Sequence, residues 1–333
     1  MTSRARLRYR QLIGRFRRVR LVVAGDLIAD EFIYGRVERV SREAPVLILG
    51  YDATEIVPGG AGNAASNAAA LGAAIDVIGV VGRDDPGRRL LEALPARART
   101  RSVLRANDYV TPVKTRILAG GVHSAKQQVV RIDRAGGSTV RTFERHVRLA
   151  LTRAVSRADA VIISDYGGGL MTPTVLRRVR SATRGKMPIV VVDSRYALAK
   201  FTGMTACTPN ESEVEAMLGV RIGDDSEALE LAGRRLLQQL QSAAVLITRG
   251  SRGMALFVPD ERTEIIPIVG SDQIADVTGA GDTVIATFTL ALAAGATFTE
   301  AAHLANYAGG VVVMKRGTAT VSAEELLTAV GEA

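Results

Sequence analysis

The stretch Asp276-Val277-Thr278-Gly279-Ala280-Gly281-Asp282-Thr283 carries the residue types and spacing best suited to chemistry. It runs straight into Val284-Ile285-Ala286-Thr287-Phe288-Thr289-Leu290-Ala291-Leu292, apolar on nearly every face, which predicts a deeply buried helix closed by Gly295. The turn is then the helix N-terminus. Backbone N–H groups of Gly279, Ala280 and Gly281 would point out of that end, at the positive pole of the helix dipole, where glycine lets a phosphate come close. Asp282 stands one step inside, able to take a proton from an attacking hydroxyl as a phosphoryl group is transferred. Residue types alone explain the stretch equally well as an ordinary glycine-opened helix with a capping Asp.

Phosphoryl chemistry needs elements that bring further polar groups to the same edge. Arg20-Leu21-Val22-Val23-Ala24-Gly25-Asp26 predicts a buried strand delivering Asp26 to its C-terminal end, where open α/β sheets bind ligands. The apolar runs ending at Asp165 and Asp193 have the same form; the first continues into Tyr166-Gly167-Gly168-Gly169 and the second into Ser194-Arg195. A helix from Val140 to about Arg157 precedes the Asp165 strand. Pro58-Gly59-Gly60-Ala61-Gly62-Asn63 opens an alanine-rich helix ending at Leu71-Gly72, in which Asn63 can donate and accept. Residues 244–254 read as a strand ending at Thr248 and a turn carrying Gly250 and Gly253. Asn210 and Glu213 sit where a helix starts, and Thr297 with Glu300 predicts a capping box for a final helix running through Asn306 to Val313.

Two β-rich segments stand outside this alternation. Residues 31–57 and about 101–134 read as a small separate sheet, with Lys114, Arg116 and Arg131 as cations for a substrate phosphate or, equally, as solvated strand charges.

These motifs, in this order, resemble the ribokinase-like (PfkB-type) sugar kinases, whose C-terminal signature DVTGAGDT matches residues 276–283; the resemblance runs from about Arg20 to about Glu325. It implies a three-layer α/β/α sandwich with a mostly parallel central sheet, forming one kinase domain over residues 21–333 with the two insertions as a β lid. It implies ATP and Mg²⁺, with Asp282 as base and the Gly279, Ala280 and Gly281 amides stabilising developing charge. Asp26, Gly59, Gly60 and Asn63 fall at sugar-binding positions; Asp165 and Asp193, from the strand pattern alone, are expected at the same edge, with Arg195 as a candidate cation near that spot. Asn210, Thr248, Gly250, Gly253, Thr278 and Asn306 fall on the nucleotide side, and Glu213 would act through the water shell of magnesium. The resemblance leaves a monovalent cation open and suggests a homodimer through the lid.

Ser41, Glu43, Ala44 and Pro45 are similar to the bacterial heptose 7-phosphate kinase branch of that family, which makes D-glycero-D-manno-heptose 7-phosphate, phosphorylated at O1, the expected substrate. Gly168 stands where that branch would have Lys, which keeps other sugars and nucleosides open. A non-catalytic sensor is the reading from another class. Some heptose kinases are fused to a nucleotidyltransferase; a chain ending at Ala333 is expected to lack that second activity.

Composition agrees with a large core: 333 residues, 47% hydrophobic, no apolar run long enough to span a bilayer and no signal-peptide core, which predicts a cytoplasmic protein. The single cysteine, Cys207, excludes an internal disulfide and reads as a core residue. Eight of the arginines lie in the first twenty residues, leaving about +1 of the net +9 for the remainder, so nucleic acid is not the expected partner. In that basic segment, residues 1–20, Leu12, Ile13, Phe16 and Val19 recur at helical spacing, which predicts a short helix docked on the body with its arginines in solvent.

Overall fold

The computed structural model describes residues 2–120, 126–136, 143–182, 187–269 and 276–332. Helix α1 (Ser3–Arg15) leads into β1 (Arg20–Gly25), β2 (Leu27–Val40), β3 (Leu47–Gly60), α2 (Ala61–Ala70), β4 (Ala74–Gly82), α3 (Asp85–Ala93) and β5 (Ala98–Ala106). There follow β6 (Val113–Gly120), β7 (Gln127–Arg134), α4 (Glu144–Val155), β8 (Ala160–Asp165), α5 (Pro173–Ala182), β9 (Ile189–Ser194), β10 (Ala206–Cys207), α6 (Glu211–Leu218) and α7 (Ser226–Leu240). The chain closes with β11 (Ala244–Thr248), β12 (Met254–Phe257), β13 (Glu264–Ile266), α8 (Ala280–Ala293), α9 (Phe298–Val312) and α10 (Ala323–Glu332). The expected helix start at Val140 lies outside the described residues.

Burial on both faces of each strand produces the layers. Leu21 and Val23 of β1 join a core with α1, α2, α8, α9 and α10, while Val22 and Ala24 join a second core with α4, α5 and α7. Strands this apolar on both sides need helices over both faces, and the result is a three-layer α/β/α sandwich. Among the described residues the central sheet has the order β13-β12-β11-β10-β9-β8-β1-β4-β5, antiparallel only at β11–β12 and β12–β13. The strand order turns about β1, so β1, β8 and β9 end beside the crevice of a doubly wound sheet.

The small sheet has the order β3-β2-β6-β7. Its β2–β3 and β6–β7 pairs are antiparallel, whereas β2 and β6 run parallel with Asp30 opposite Lys114. Its bounds differ from those read in the sequence. Residues 101–106 belong to β5 on the edge of the central sheet, where a half-solvated strand alternates polar and apolar residues like a free-standing one. Helix α9 is not the last; α10 follows it and packs on α1. Helix α1 buries Leu12 and Ile13 as expected and Tyr9 besides, with Phe16 and Val19 buried just beyond its end, but its arginines do not all face solvent: Arg8 pairs with Glu300 at 2.9 Å and Arg15 donates to the Ala294 carbonyl at 3.3 Å. Cys207 is buried in the core, where burial raises its thiol pKa. Among the described residues no helix is long and apolar enough to cross a membrane.

Candidate active site

Helix α8 begins at the expected turn. Gly279 is its N-cap at φ 77°, a conformation costly for a side chain, and a Cβ there would strike the Asn63 amide. The Ala280 amide donates to the Val277 carbonyl at 3.2 Å, which corrects its expected part in an anion cradle. Among the described residues the Gly279 and Gly281 amides have no such acceptor, and a Cβ added at Gly281 would meet no atom within 4 Å. The turn therefore presents open space to a ligand at the positive end of an almost wholly buried helix.

Asp282 is buried with both oxygens engaged. Asn63 Nδ2 donates to Oδ2 at 2.8 Å, and the Tyr166 hydroxyl donates to Oδ1 at 3.0 Å. Burial pushes this carboxyl up to about 7, outweighing the lowering by those two donors. A carboxylate poised near neutrality, one step inside a helix N-terminus, can act as a base toward a hydroxyl. Behind it, Asn67 Nδ2 donates to Asn63 Oδ1 at 3.0 Å, and Thr283 Oγ1 donates to Asn67 Oδ1 at 2.9 Å. The sequence alone does not mark Tyr166 or Asn67 as parts of this site. A tyrosine after a strand-ending Asp looks like an ordinary loop aromatic; Asn67, one helical turn after Asn63, was the available signal.

Asp26 is the second centre. Its Oδ2 accepts from the Tyr166 amide at 2.8 Å and the Gly168 amide at 3.0 Å, and burial raises it to about 6 against those donors. A Cβ at Gly168 would come 2.6 Å from Asp26 Oδ1. Glycine at this position is what lets the loop wrap the carboxylate, and a lysine would have to open it. Asp165 is spent internally: its Oδ1 accepts from the Gly167 amide at 3.1 Å and its Oδ2 from the Ser194 hydroxyl at 2.6 Å. Gly60 meets Asp26 in the same way, a Cβ there lying 2.6 Å from the Asp26 carbonyl, while one at Gly59 would run into the Asp30 carboxylate.

Between the small sheet and the ends of β1, β8 and β9 lies a cleft of about 1100 Å³, lined by Asp26, Asp165, Tyr166 and the glycines after it. Lys114, Arg131, Arg134, Arg195 and Lys200 line it too. Lys114 lies over the Tyr166 ring, 4.8 Å from its centre, and burial lowers its pKa. Arg195 is exposed beside Tyr196, and Arg131 is held by Asp133 at 2.6 Å. Arg116, expected as another phosphate-binding cation, is instead buried in an ion pair with Asp30 at 2.8 Å. Freeing it would strand a buried carboxylate.

Asn210 and Glu213 form the reciprocal capping box of α6, at 2.9 and 3.0 Å. Asn210 also bridges to Thr248, the last residue of β11. Gly250 and Gly253 bound the turn that follows, and Arg249 just before it makes a part-buried pair with Glu211 at 2.8 Å. Thr278 donates its amide to Asp276 at 2.8 Å, and Asn306 gives its side-chain amide to the Pro267 carbonyl at 2.7 Å, a packing role. Asp193 is raised well above the usual carboxylate range by burial and by Glu213, Asp282 and Asp165; burial raises Glu213 as well. Such mutual repulsion suits a divalent cation. Among the described residues no group of three or more His, Cys, Asp or Glu is placed to hold a metal ion.

Comparison with known proteins agrees with this architecture. A family model described as pfkB family carbohydrate kinase matches residues 21–326. The chain is 41% identical over 323 residues to the bifunctional protein HldE of Geobacter metallireducens, covering 96% of this chain and 64% of that protein. With the HldE of Coxiella burnetii, the identity is 39%, covering 94% of this chain and 64% of the other. The chain thus spans somewhat less than two thirds of the curated relatives it matches. Among solved structures, ribokinase of Arabidopsis thaliana complexed with ribose and ATP superposes with a TM-score of 0.72 at 20% identity, over 94% of this chain and 98% of the other. Phosphofructokinase-2 of Escherichia coli in complex with potassium gives 0.75 at 20%, over 94% and 99%. The fold is that of these kinases, and the chain belongs to the pfkB family of carbohydrate kinases, as an ATP-dependent sugar kinase.

Proposed function

We propose that this kinase transfers the γ-phosphoryl group of ATP to O1 of D-glycero-D-manno-heptose 7-phosphate, giving the 1,7-bisphosphate. One observation carries the catalytic part: the buried Asp282 carboxylate, held by Asn63 at 2.8 Å and Tyr166 at 3.0 Å, beside the open amide of Gly281 at the start of α8. Asp26, on the cleft wall, orients the sugar hydroxyls, while the buried Asn63 holds the Asp282 carboxylate in place. Asp282 takes the proton from O1 as the bond from O1 to the γ-phosphorus forms and the bond from that phosphorus to the bridging oxygen of ADP breaks. The Gly279 and Gly281 amides stabilise charge on the phosphoryl oxygens in flight. Magnesium, when bound with ATP, neutralises phosphate charge; Glu213 and Asp193 would hold it through water.

Heptose 7-phosphate is favoured by Ser41, Glu43, Ala44 and Pro45, by the relatives at about 40% identity, and by cations on the cleft wall. Lys114 and Arg195 are the candidates for its phosphate. A different sugar acceptor is favoured by one observation, Gly168, whose contact with Asp26 leaves no room there for a phosphate-binding side chain.

The small sheet would act as a lid over the sugar, with β7 carrying exposed Val129, Val130 and Ile132 into a homodimer contact. Potassium in the phosphofructokinase-2 structure supports a monovalent-cation requirement, and dependence on ATP supports a cytoplasmic place of action. Coupled ATP turnover with magnesium, across heptose 7-phosphate, fructose 6-phosphate, fructose, ribose and adenosine, tests the reading. Turnover confined to heptose 7-phosphate is expected; preference for an unphosphorylated sugar would overturn the substrate.

A further inference from the structure

Helices α4 and α5 pack side by side over the second core, on the layer opposite α8, and the groove between them takes no part in the kinase reaction. We propose that this groove binds a small polyphosphate anion, a ligand carrying two or more phosphate groups, at a site separate from the catalytic cleft.

The groove encloses about 460 Å³, within the range of small-molecule sites. Helix α4 contributes Arg145, Arg148 and Thr152, and α5 contributes Thr174, Arg177 and Arg178, each set repeating at spacings that keep it on one helix face. Four guanidinium groups thus line one groove. Among the described residues none of the four has a carboxylate partner, unlike Arg88 of α3 and Arg234 of α7. Arg88 lies between Asp85 and Glu92, at 2.5 and 2.8 Å, and Arg234 pairs with Glu230 at 2.8 Å.

Neutral hydroxyls orient the groove arginines instead. The Thr152 hydroxyl donates to the Arg148 carbonyl at 2.7 Å and accepts from Arg178 Nε at 3.0 Å; Arg177 donates to the Thr174 hydroxyl at 2.9 Å. Holding two guanidiniums this way fixes their forks without cancelling their charge, the condition under which arginine binds phosphate oxygens in pairs. Unopposed like charges cost the empty protein stability, and a polyanion removes that cost on binding. Among the described residues no aromatic side chain lines the groove, as base stacking by a nucleic acid strand would need. The groove also adjoins the catalytic cleft in sequence: Pro173 lines the cleft and Thr174 the groove, in one turn of α5.

Calorimetric titration of the full chain with inorganic tripolyphosphate, at about physiological salt, tests the site. Against wild type, R148Q/R177Q is expected to lose one saturable equivalent or bind it at least about tenfold more weakly. Its sugar-kinase turnover without tripolyphosphate should stay within about twofold, since neither arginine touches the cleft. Hydrogen exchange should show protection of residues 145–152 and 174–181 on adding tripolyphosphate to wild type. R145Q/R178Q serves as the second variant should the first not fold. Equal stoichiometry and affinity in wild type and variants would overturn the proposal. So would binding that never saturates, or an arginine-dependent affinity seen only with single-stranded DNA and growing with its length.

Discussion

Asn63 Nδ2 lies 2.8 Å from Asp282 Oδ2, tying the first turn of α2 to the first turn of α8 across 219 residues of chain. The contact fixes one carboxylate oxygen, while Tyr166 fixes the other. Replacing Asp282 with Asn keeps the size of the side chain and removes the base. Turnover should fall by about two to four orders of magnitude, with the sugar's KM changed far less. Steady-state kinetics on the folded variant checks this; near-wild-type turnover removes Asp282 from the role.

The raised carboxyl of Asp282 also gives a pH dependence of known sign. Its folded value of about 7 lies above its ordinary value of 3.8, so between those values the folded protein holds a proton that the unfolded chain has released. Stability from this group is full below the ordinary value and declines as pH rises through about 7. The melting temperature of Asp282→Asn relative to wild type should therefore climb from about pH 5 to about pH 8. Over the same window kcat/KM of wild type should rise as the base ionises. A melting difference independent of pH contradicts the assignment.

Lys114 and Arg116 separate binding from stability. Lys114→Gln should raise KM for the phosphorylated sugar about tenfold or more while leaving the melting temperature nearly unchanged. Arg116→Gln leaves Asp30 buried and unpaired and should cost about 3–5 kcal/mol of stability, read from denaturant unfolding. A Lys114 variant with unchanged KM would shift the phosphate site to Arg195.

Gly168→Ala inserts a Cβ 2.6 Å from Asp26 Oδ1, inside the loop whose amides hold that carboxylate. Overpacking of this kind should cost about 1–3 kcal/mol and raise the sugar's KM more than it lowers kcat. Gly168→Lys should do the same and gain nothing toward phosphorylated substrates. A lysine variant that binds heptose 7-phosphate more tightly would contradict this account of the loop.

The strands were legible where burial on both faces left apolar runs ending in a polar residue, as at Asp26, Asp165 and Asp193. The turn at Gly279 was legible because an apolar helix followed it. The partner of Asp282 was not, since Asn63 reaches it only through packing of α2 on α8. The different fates of Lys114 and Arg116 were also hidden. They alternate onto one face of β6, and the parallel register sets Asp30 opposite Lys114, yet Arg116 reaches back to take it. Strand periodicity gives the face, not which of two cations meets the buried acid. For β5, alternation alone could not tell the edge of a large sheet from a small one.

Phosphorus NMR of the product formed from ATP and heptose 7-phosphate reads phosphoryl transfer to O1 itself. Wild type should yield a second phosphate signal coupled to the anomeric proton, and Asp282→Asn should yield almost none under the same conditions. ATP consumption by wild type without an anomeric phosphate, or an equal yield from the variant, would contradict the account.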